Sequence, residues 1–469
     1  MTQTAQDRGA AVASLMEALG PPIVQLPAQF AGRRHADASH APSAEPLALL
    51  RPRTTAEVAT ALRICHAHGQ PLVTQGGLTG LSGGACLLGG EVALSLELMR
   101  GIEDIDPVSA MMTVLAGTPL QAVQEAADAA GFMFPLDLGA RGSCTIGGNL
   151  ATNAGGNRVI RYGMTRDQVL DVEAVLADGT VIGGRHRMIK NNTGYDLRHL
   201  LIGSEGTLAV ITRAILRLRP KPAAVSTAFC GLPSYEAVTG LLARAQAMLP
   251  AGPSAFEVMW PSYVDFVTRR LPERRAPLSG RHAFYVLLES SSGADATRQA
   301  EAFETFLGEM MAQGIVSDAA IASSDSDALA FWAIRDAPGE YERLIPDYVS
   351  FDVSFATSQV GEAAVRCDSA LRAAFPNATI LVYGHLGDGN VHIVVQEPGW
   401  PASAPDEAKA IVFGITGEMH GSVSAEHGIG TQRKKVLSLT RTPAELATMK
   451  AIRTALDPLG ILNPGKLLD

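Results

Sequence analysis

The chain has 469 residues, 47% of them hydrophobic, and a mean hydropathy of +0.14. That length exceeds what one compact core holds and calls for two or three domains. A formal net charge of -9 without any long basic run excludes nucleic acid as an expected partner.

In chain order, residues 6–19 predict a short amphipathic helix stopped by Gly20-Pro21-Pro22. Asp7, Arg8 and Glu17 within it argue against a signal or transit peptide. Residues 31–46 are polar and irregular. A helix opens at residues 51–57, with Thr55 as its expected N-cap, and ends near His68-Gly69. Pro71 to Thr74 then reads as a strand, followed by Gln75 to Ala85 with five glycines in eleven residues. Without Cβ atoms, backbone N–H groups converge on an anion as in a phosphate nest. The spacing is not that of a dinucleotide fingerprint, and no lysine follows as in a nucleotide-triphosphate loop.

A second glycine cluster runs from Pro135 to Asn157, and a tight turn at Gly203-Ser204-Glu205-Gly206 leads into a β-branched strand. Arg219-Pro220-Lys221-Pro222 reads as a linker. Beyond it, strands and helices alternate in the manner of a ferredoxin-like domain, and a helical tail ends in Asn463-Pro464-Gly465-Lys466. The expected domains are 1–45, an N-terminal helix and irregular segment; 46–222; 223–430; and 431–469. Cys65, Cys86, Cys144, Cys230 and Cys367 form no Cys-x-x-Cys pair, so they read as packed, reduced thiols with no iron–sulfur cluster. No apolar run approaches the roughly 20 residues of a membrane span. The cytoplasm is the expected location.

The most informative stretch is Tyr383 to Val395. His385 sits in a glycine-rich bend and His392 at the mouth of an apolar strand. Downstream, Glu426 and His427 adjoin between small residues. A single histidine on an apolar strand reads as a packed core residue. Three histidines and a glutamate in two glycine-rich turns read as a site, and two imidazoles with a carboxylate are a common divalent-metal set.

Taken in order from Pro52 to Lys466, these motifs resemble the flavin-linked D-2-hydroxyacid dehydrogenases of the vanillyl-alcohol-oxidase type. The resemblance implies an α+β fold: a two-part FAD-binding domain, a ferredoxin-like substrate (cap) domain carrying the metal site, and a C-terminal helical segment returning to the FAD side. It implies that Gly76, Gly77, Leu78, Thr79, Gly80, Leu81 and Ser82 wrap the FAD pyrophosphate. Ser143, Gly147, Gly148, Asn149, Thr152, Asn153 and Gly156 would form a loop beneath the flavin. Glu205, Gly206 and Ile211 would contact the adenosine end and a flavin edge, with Pro135, Gly139 and Asn463 completing the cofactor residues. No histidine occupies Gly76 to Gly83, where some relatives attach flavin covalently, so the FAD is expected to be non-covalent.

The resemblance also assigns His385, His392 and Glu426 to a divalent metal, zinc or manganese, His427 to the general base, and Arg335 to the grip on a substrate carboxylate. Ser350, Asn390 and Val394 complete the expected substrate residues. Two departures bear on specificity. D-2-hydroxyglutarate-type relatives carry a lysine where Ser350 stands and an asparagine where Val394 stands. The pocket thereby loses a cation and an amide and gains apolar surface, which points to a monocarboxylate such as D-lactate or a more apolar analogue. The alternatives are a D-2-hydroxyglutarate dehydrogenase, an oxidase of the same architecture, or a non-catalytic FAD-binding subunit. Electrons are expected to leave to an electron-transfer flavoprotein, a cytochrome or a quinone, and a homodimer is the expected assembly.

Overall fold

Short β-branched runs separated by glycine turns fold into two compact units, seen in a computed structural model that describes residues 5–293 and 295–468. The first unit comprises Met1–Gly155, Met164–Pro220 and Glu426–Asp469; the second comprises Gly156–Gly163 and Lys221–Ala425. The chain therefore crosses between units on either side of Gly156–Gly163, inside the Arg219–Pro222 linker, and between Ala425 and Glu426. The last crossing precedes the expected boundary after residue 430, and the N-terminal segment belongs to the first unit.

Among the described residues the first unit holds two larger sheets and a two-stranded pair, Phe132–Met133 with Arg219–Pro220. A four-stranded sheet orders Val24–Gln25, Leu49–Leu50, Val92–Ser95 and Leu72–Gln75, with the last three strands parallel. An antiparallel five-stranded sheet orders Ile102–Asp106, Met111–Leu115, Val210–Arg217, Val169–Val175 and Val181–Gly183. Each sheet has its own apolar core, Leu62, Val92 and Leu94 in the first and Val114, Leu150 and Ala214 in the second. The helix Thr55–His68 starts one residue earlier than expected. Its cap is Thr54, whose hydroxyl accepts the Glu57 N–H while Glu57 reaches back to the Thr54 N–H. That reciprocal box needs the Thr-x-x-Glu spacing, which Thr55 cannot supply. At the C-terminus, the helix Pro443–Leu456 is followed by residues that lie alongside the Leu72–Gln75 strand, with Leu462 bridging Leu72 in parallel.

The second unit is built on one antiparallel seven-stranded sheet, ordered Asp318–Ile321, Ala224–Leu232, Phe284–Ser292, Ala255–Met259, Thr379–His385, Asn390–Gln396 and Val349–Ser354. Helices Pro261–Arg270 and Asp325–Arg335 contribute to an apolar cluster with this sheet through Tyr263, Val267, Phe331 and Ile334. Among the described residues no helix is long and apolar enough to cross a membrane.

Candidate functional site

In the first unit the Leu72–Gln75 strand runs directly into the Gly76–Ser82 loop. Among the described residues, none of the seven N–H groups from Gly76 to Ser82 donates to a protein acceptor. Leu78 adopts the left-handed region at φ 54°, a conformation that turns successive amides toward one concavity. Glycine is also required by packing: a Cβ on Gly77 would overlap the Ser143 carbonyl, and one on Gly76 would press on Thr145 Oγ1. The first and second glycine clusters thus lie edge to edge. An uncommitted run of amides fits the pyrophosphate of FAD.

Around this cradle the other expected cofactor residues take varied positions. Gly147 and Asn149 are buried in the short helix Ile146–Thr152, with Gly148 at its capped start, where Thr145 accepts the Gly148 N–H, and Thr152 at its end. The Asn149 Oδ1 is buried without a protein partner. Asn153 closes that helix at φ 49°, its side chain accepting the Arg166 N–H. Pro135 is buried, Ser143 and Gly139 are exposed, and Ile211 is packed in the core of the five-stranded sheet. Gly156 belongs to the second unit. The Glu205 carboxylate is turned to the Ile429 and Gly430 amides, 2.7 Å each. Gly206 abuts Asn463, whose side chain bridges the Glu205 carbonyl (2.7 Å) and the Thr74 N–H (2.8 Å).

Glu426 and His427 follow in the same unit. The Glu426 carboxylate lies over the backbone of Gly155, where a Cβ would overlap it. His427 Nδ1 faces Arg433 Nη2 at 3.4 Å. A guanidinium only donates, so this contact leaves the imidazole proton on Nε2.

The second unit gathers its polar side chains on one sheet face. Antiparallel register sets Glu257 opposite His385, Met259 opposite Tyr383, and His392 between Tyr383 and Asp352. The His385 and His392 rings are 5.4 Å apart, and His392 stands 5.0 Å from the Tyr383 ring. Arg335, the last residue of its helix, is 5% exposed over this face. Its Nε donates to Glu257 Oε2 at 2.6 Å and its Nη2 to His385 Nε2 at 3.1 Å, while its guanidinium lies 4.9 Å from the Tyr383 ring centre. Because His385 Nε2 accepts, Nδ1 carries the proton, which it donates to Glu257 Oε1 at 2.8 Å. Burial pushes the Glu257 carboxyl up, but His385 and Arg335 outweigh it and hold the group below its ordinary range. Arg335 is driven further toward its charged form by Glu257 against its own burial.

Glu257 and Asp352 stand behind the two histidines as oriented carboxylates, the support that metal-binding imidazoles require. Neither was among the expected site residues. Asp352 is fully buried, takes the Asn390 amide at 3.2 Å and lies 4.0 Å from His392 Nδ1. Asn390, expected to meet substrate, thus orients Asp352. Ser350 and Val394 pair across the same strands, with Ser350 exposed and Val394 buried in the apolar cluster beside Leu381 and Tyr383. Residues 422–425 extend the Val349–Ser354 edge, the Ala425 N–H donating to the Asp352 carbonyl at 3.2 Å.

A two-part domain with an open amide cradle, joined to an antiparallel cap with a histidine–carboxylate–arginine face, defines a flavoprotein of the vanillyl-alcohol-oxidase architecture. The profile described as "FAD binding domain" matches residues 46–183, and that of "FAD linked oxidases, C-terminal domain" matches residues 221–467. D-2-hydroxyglutarate dehydrogenase of Bos taurus, named as mitochondrial, is 40% identical over 90% of this chain and 76% of its own. The enzyme of the same name from Xanthomonas citri pv. viticola is 39% identical over 90% and 89%. Substrate-bound p-cresol methylhydroxylase shares the fold, with a TM-score of 0.78 at 16% identity over 99% of this chain and 98% of that one. The chain belongs to the FAD-linked D-2-hydroxyacid dehydrogenase family.

Proposed function

We propose that the protein oxidises a D-2-hydroxy monocarboxylate with an apolar side chain to its 2-oxo acid. The observation that carries this specificity is the row Ser350–Val394–Leu381, next to His392 on the sheet face, which holds no charged group. A second substrate carboxylate beside a buried valine would lose its hydration without a partner. The names of the relatives favour a second reading, D-2-hydroxyglutarate, in which a side chain outside this row would have to meet the second carboxylate.

FAD bound along the Gly76–Ser82 amides supplies the two-electron acceptor for the C2 hydrogen. His385, His392 and Glu426 are proposed as ligands of zinc or manganese, which would lower the pKa of the substrate hydroxyl; His385 would ligate through Nε2, so Arg335 Nη2 would have to leave that nitrogen while Glu257 keeps the Nδ1 proton. Supporting that set, both imidazoles share one sheet face with carboxylates behind them, and Glu426 is one peptide bond beyond Ala425, whose amide is fixed on Asp352. Arg335 holds the substrate carboxylate through the N–H groups not given to Glu257. His427 takes the hydroxyl proton. With Arg433 donating to Nδ1, that nitrogen is the unprotonated one, so proton uptake there requires Arg433 to release it.

Electrons are proposed to pass on to an electron-transfer flavoprotein, a cytochrome or a quinone, in a cytoplasmic homodimer. The deciding experiment is anaerobic bleaching of the flavin by D-lactate, D-2-hydroxyisovalerate and D-2-hydroxyglutarate, before and after chelation. Faster bleaching by the two monocarboxylates supports the specificity, and faster bleaching by D-2-hydroxyglutarate overturns it. Bleaching that survives exhaustive chelation overturns the metal role.

A further inference from the structure

We infer that Glu205 is a positioning residue that sets the turn carrying His427, an inference that rests on the base role proposed for His427. Glu205 adopts the left-handed region at φ 52° and is 6% exposed. Both of its carboxylate oxygens are used, one on the Ile429 N–H and one on the Gly430 N–H, at 2.7 Å each. The turn itself is shaped to meet it. Gly428 and Gly430 have φ of 79° and 52°, and a Cβ on Gly428 would stand 3.0 Å from Glu205 Oε1.

The opposite side of the turn is closed by Ser82, the last residue of the amide cradle. Its hydroxyl donates to the His427 carbonyl at 2.9 Å, and its own carbonyl accepts the Thr431 and Gln432 N–H groups at 3.0 and 3.1 Å. A Cβ on Gly430 would overlap that carbonyl. Asn463 then ties the Glu205 carbonyl to Thr74, just before the cradle. The backbone is therefore pinned on both sides of Gly428, and the root of the His427 side chain has no room to swing. The same clasp joins cofactor loop and base, so an anion filling the cradle stiffens the His427 turn through Ser82.

Only a carboxylate does this. A glutamine has one acceptor oxygen, and its amide hydrogens would face the second backbone N–H, donor against donor. The test uses the full, FAD-loaded chain with whichever of D-lactate, D-2-hydroxyisovalerate and D-2-hydroxyglutarate reduces it fastest. Glu205→Gln is expected to keep its flavin absorbance and a KM within about twofold, yet lose about 100-fold in kcat, the scale of an ångström-level misplacement. Hydrogen exchange in the peptide containing Ile429 and Gly430 is expected to accelerate. His427→Asn, run beside it, separates the two claims. If His427→Asn is inactive while Glu205→Gln turns over normally, Glu205 does not position the base. If His427→Asn turns over normally, the base reading is what falls, and unchanged exchange at Ile429 and Gly430 in Glu205→Gln would overturn the clasp as well. Should Glu205→Gln lose its flavin, Gly428→Ala decides, since it pushes the turn off an intact carboxylate: the same loss of kcat at constant KM supports the inference, and wild-type kcat overturns it.

Discussion

The two units recognise their ligands by opposite means. The cradle of the first unit is backbone: seven consecutive amides without protein acceptors, in a loop where glycine removes side chains from the path. The sheet face of the second unit is side chain: Glu257, Arg335, His385 and Tyr383 come from three separate elements and hold one another in place. A backbone site is written in adjacent residues and fails when volume is added. A side-chain site is written in strand register and fails when one partner is removed.

Removing a partner should have the largest effect. Glu257→Ala leaves the Arg335 guanidinium and His385 facing an apolar cluster without their counter-charge, a loss of about 3–5 kcal/mol for a buried pair. Trp260, Trp332 and Trp400 all lie in the second unit, so urea unfolding followed by tryptophan fluorescence reads this unit. Glu257→Gln keeps the shape and should cost less. The pair also fixes a pH dependence. The folded Glu257 carboxyl titrates below its ordinary value of 4.5, so its contribution is complete above that value and is lost as pH falls through the depressed one. The urea midpoint should drop in acid for the wild type and drop less for Glu257→Gln. Equal slopes would show that the pair is not held as a charge pair.

Adding volume tests the other half of the comparison. Gly77→Ala drives a methyl into the Ser143 carbonyl, an overpacking cost of about 1–3 kcal/mol. Carried into the cradle, that is roughly a 5- to 150-fold loss of FAD affinity, measured by flavin fluorescence on reconstitution. Gly139→Ala is the control, because its Cβ would meet nothing within 4 Å. If Gly139→Ala weakens FAD as much as Gly77→Ala, then Gly139 touches the cofactor and the packing account of Gly77 is wrong.

The same contrast explains what the sequence disclosed. The glycine loops were legible because anion binding by amides is local, and His385, His392, Glu426 and His427 because they cluster in two short segments. Glu257 was hidden: it lies 128 residues from His385, in an unremarkable strand, and meets it only through antiparallel pairing. Asp352 was visible in its strand but its job was not, since that depends on Asn390 and His392 arriving by register. The motif around Glu205 points toward the cofactor, and its carboxylate also binds amides more than 200 residues later, a target that no local pattern announces. Thr54 rather than the expected Thr55 caps its helix because Glu57 stands three residues after Thr54 and closes the box.

The mildest expected effect distinguishes the two regions without any mutation. All five cysteines are buried thiols, and burial pushes Cys65, Cys230 and Cys367 up to about 12. Cys86 and Cys144 are raised as well, chiefly by burial. They sit in the cradle region, Cys86 just past its loop and Cys144 beside the exposed Ser143. Since the thiolate is the reactive form, native FAD-loaded protein should resist iodoacetamide at neutral pH. Removing FAD should loosen the loops around Cys86 and Cys144 but not the core of either unit. Those two should therefore label first, and the other three only on unfolding, as read by intact and peptide mass. Early labelling of Cys230 or Cys367 would mean that the second unit, and not the amide cradle, is the part that opens when the cofactor leaves.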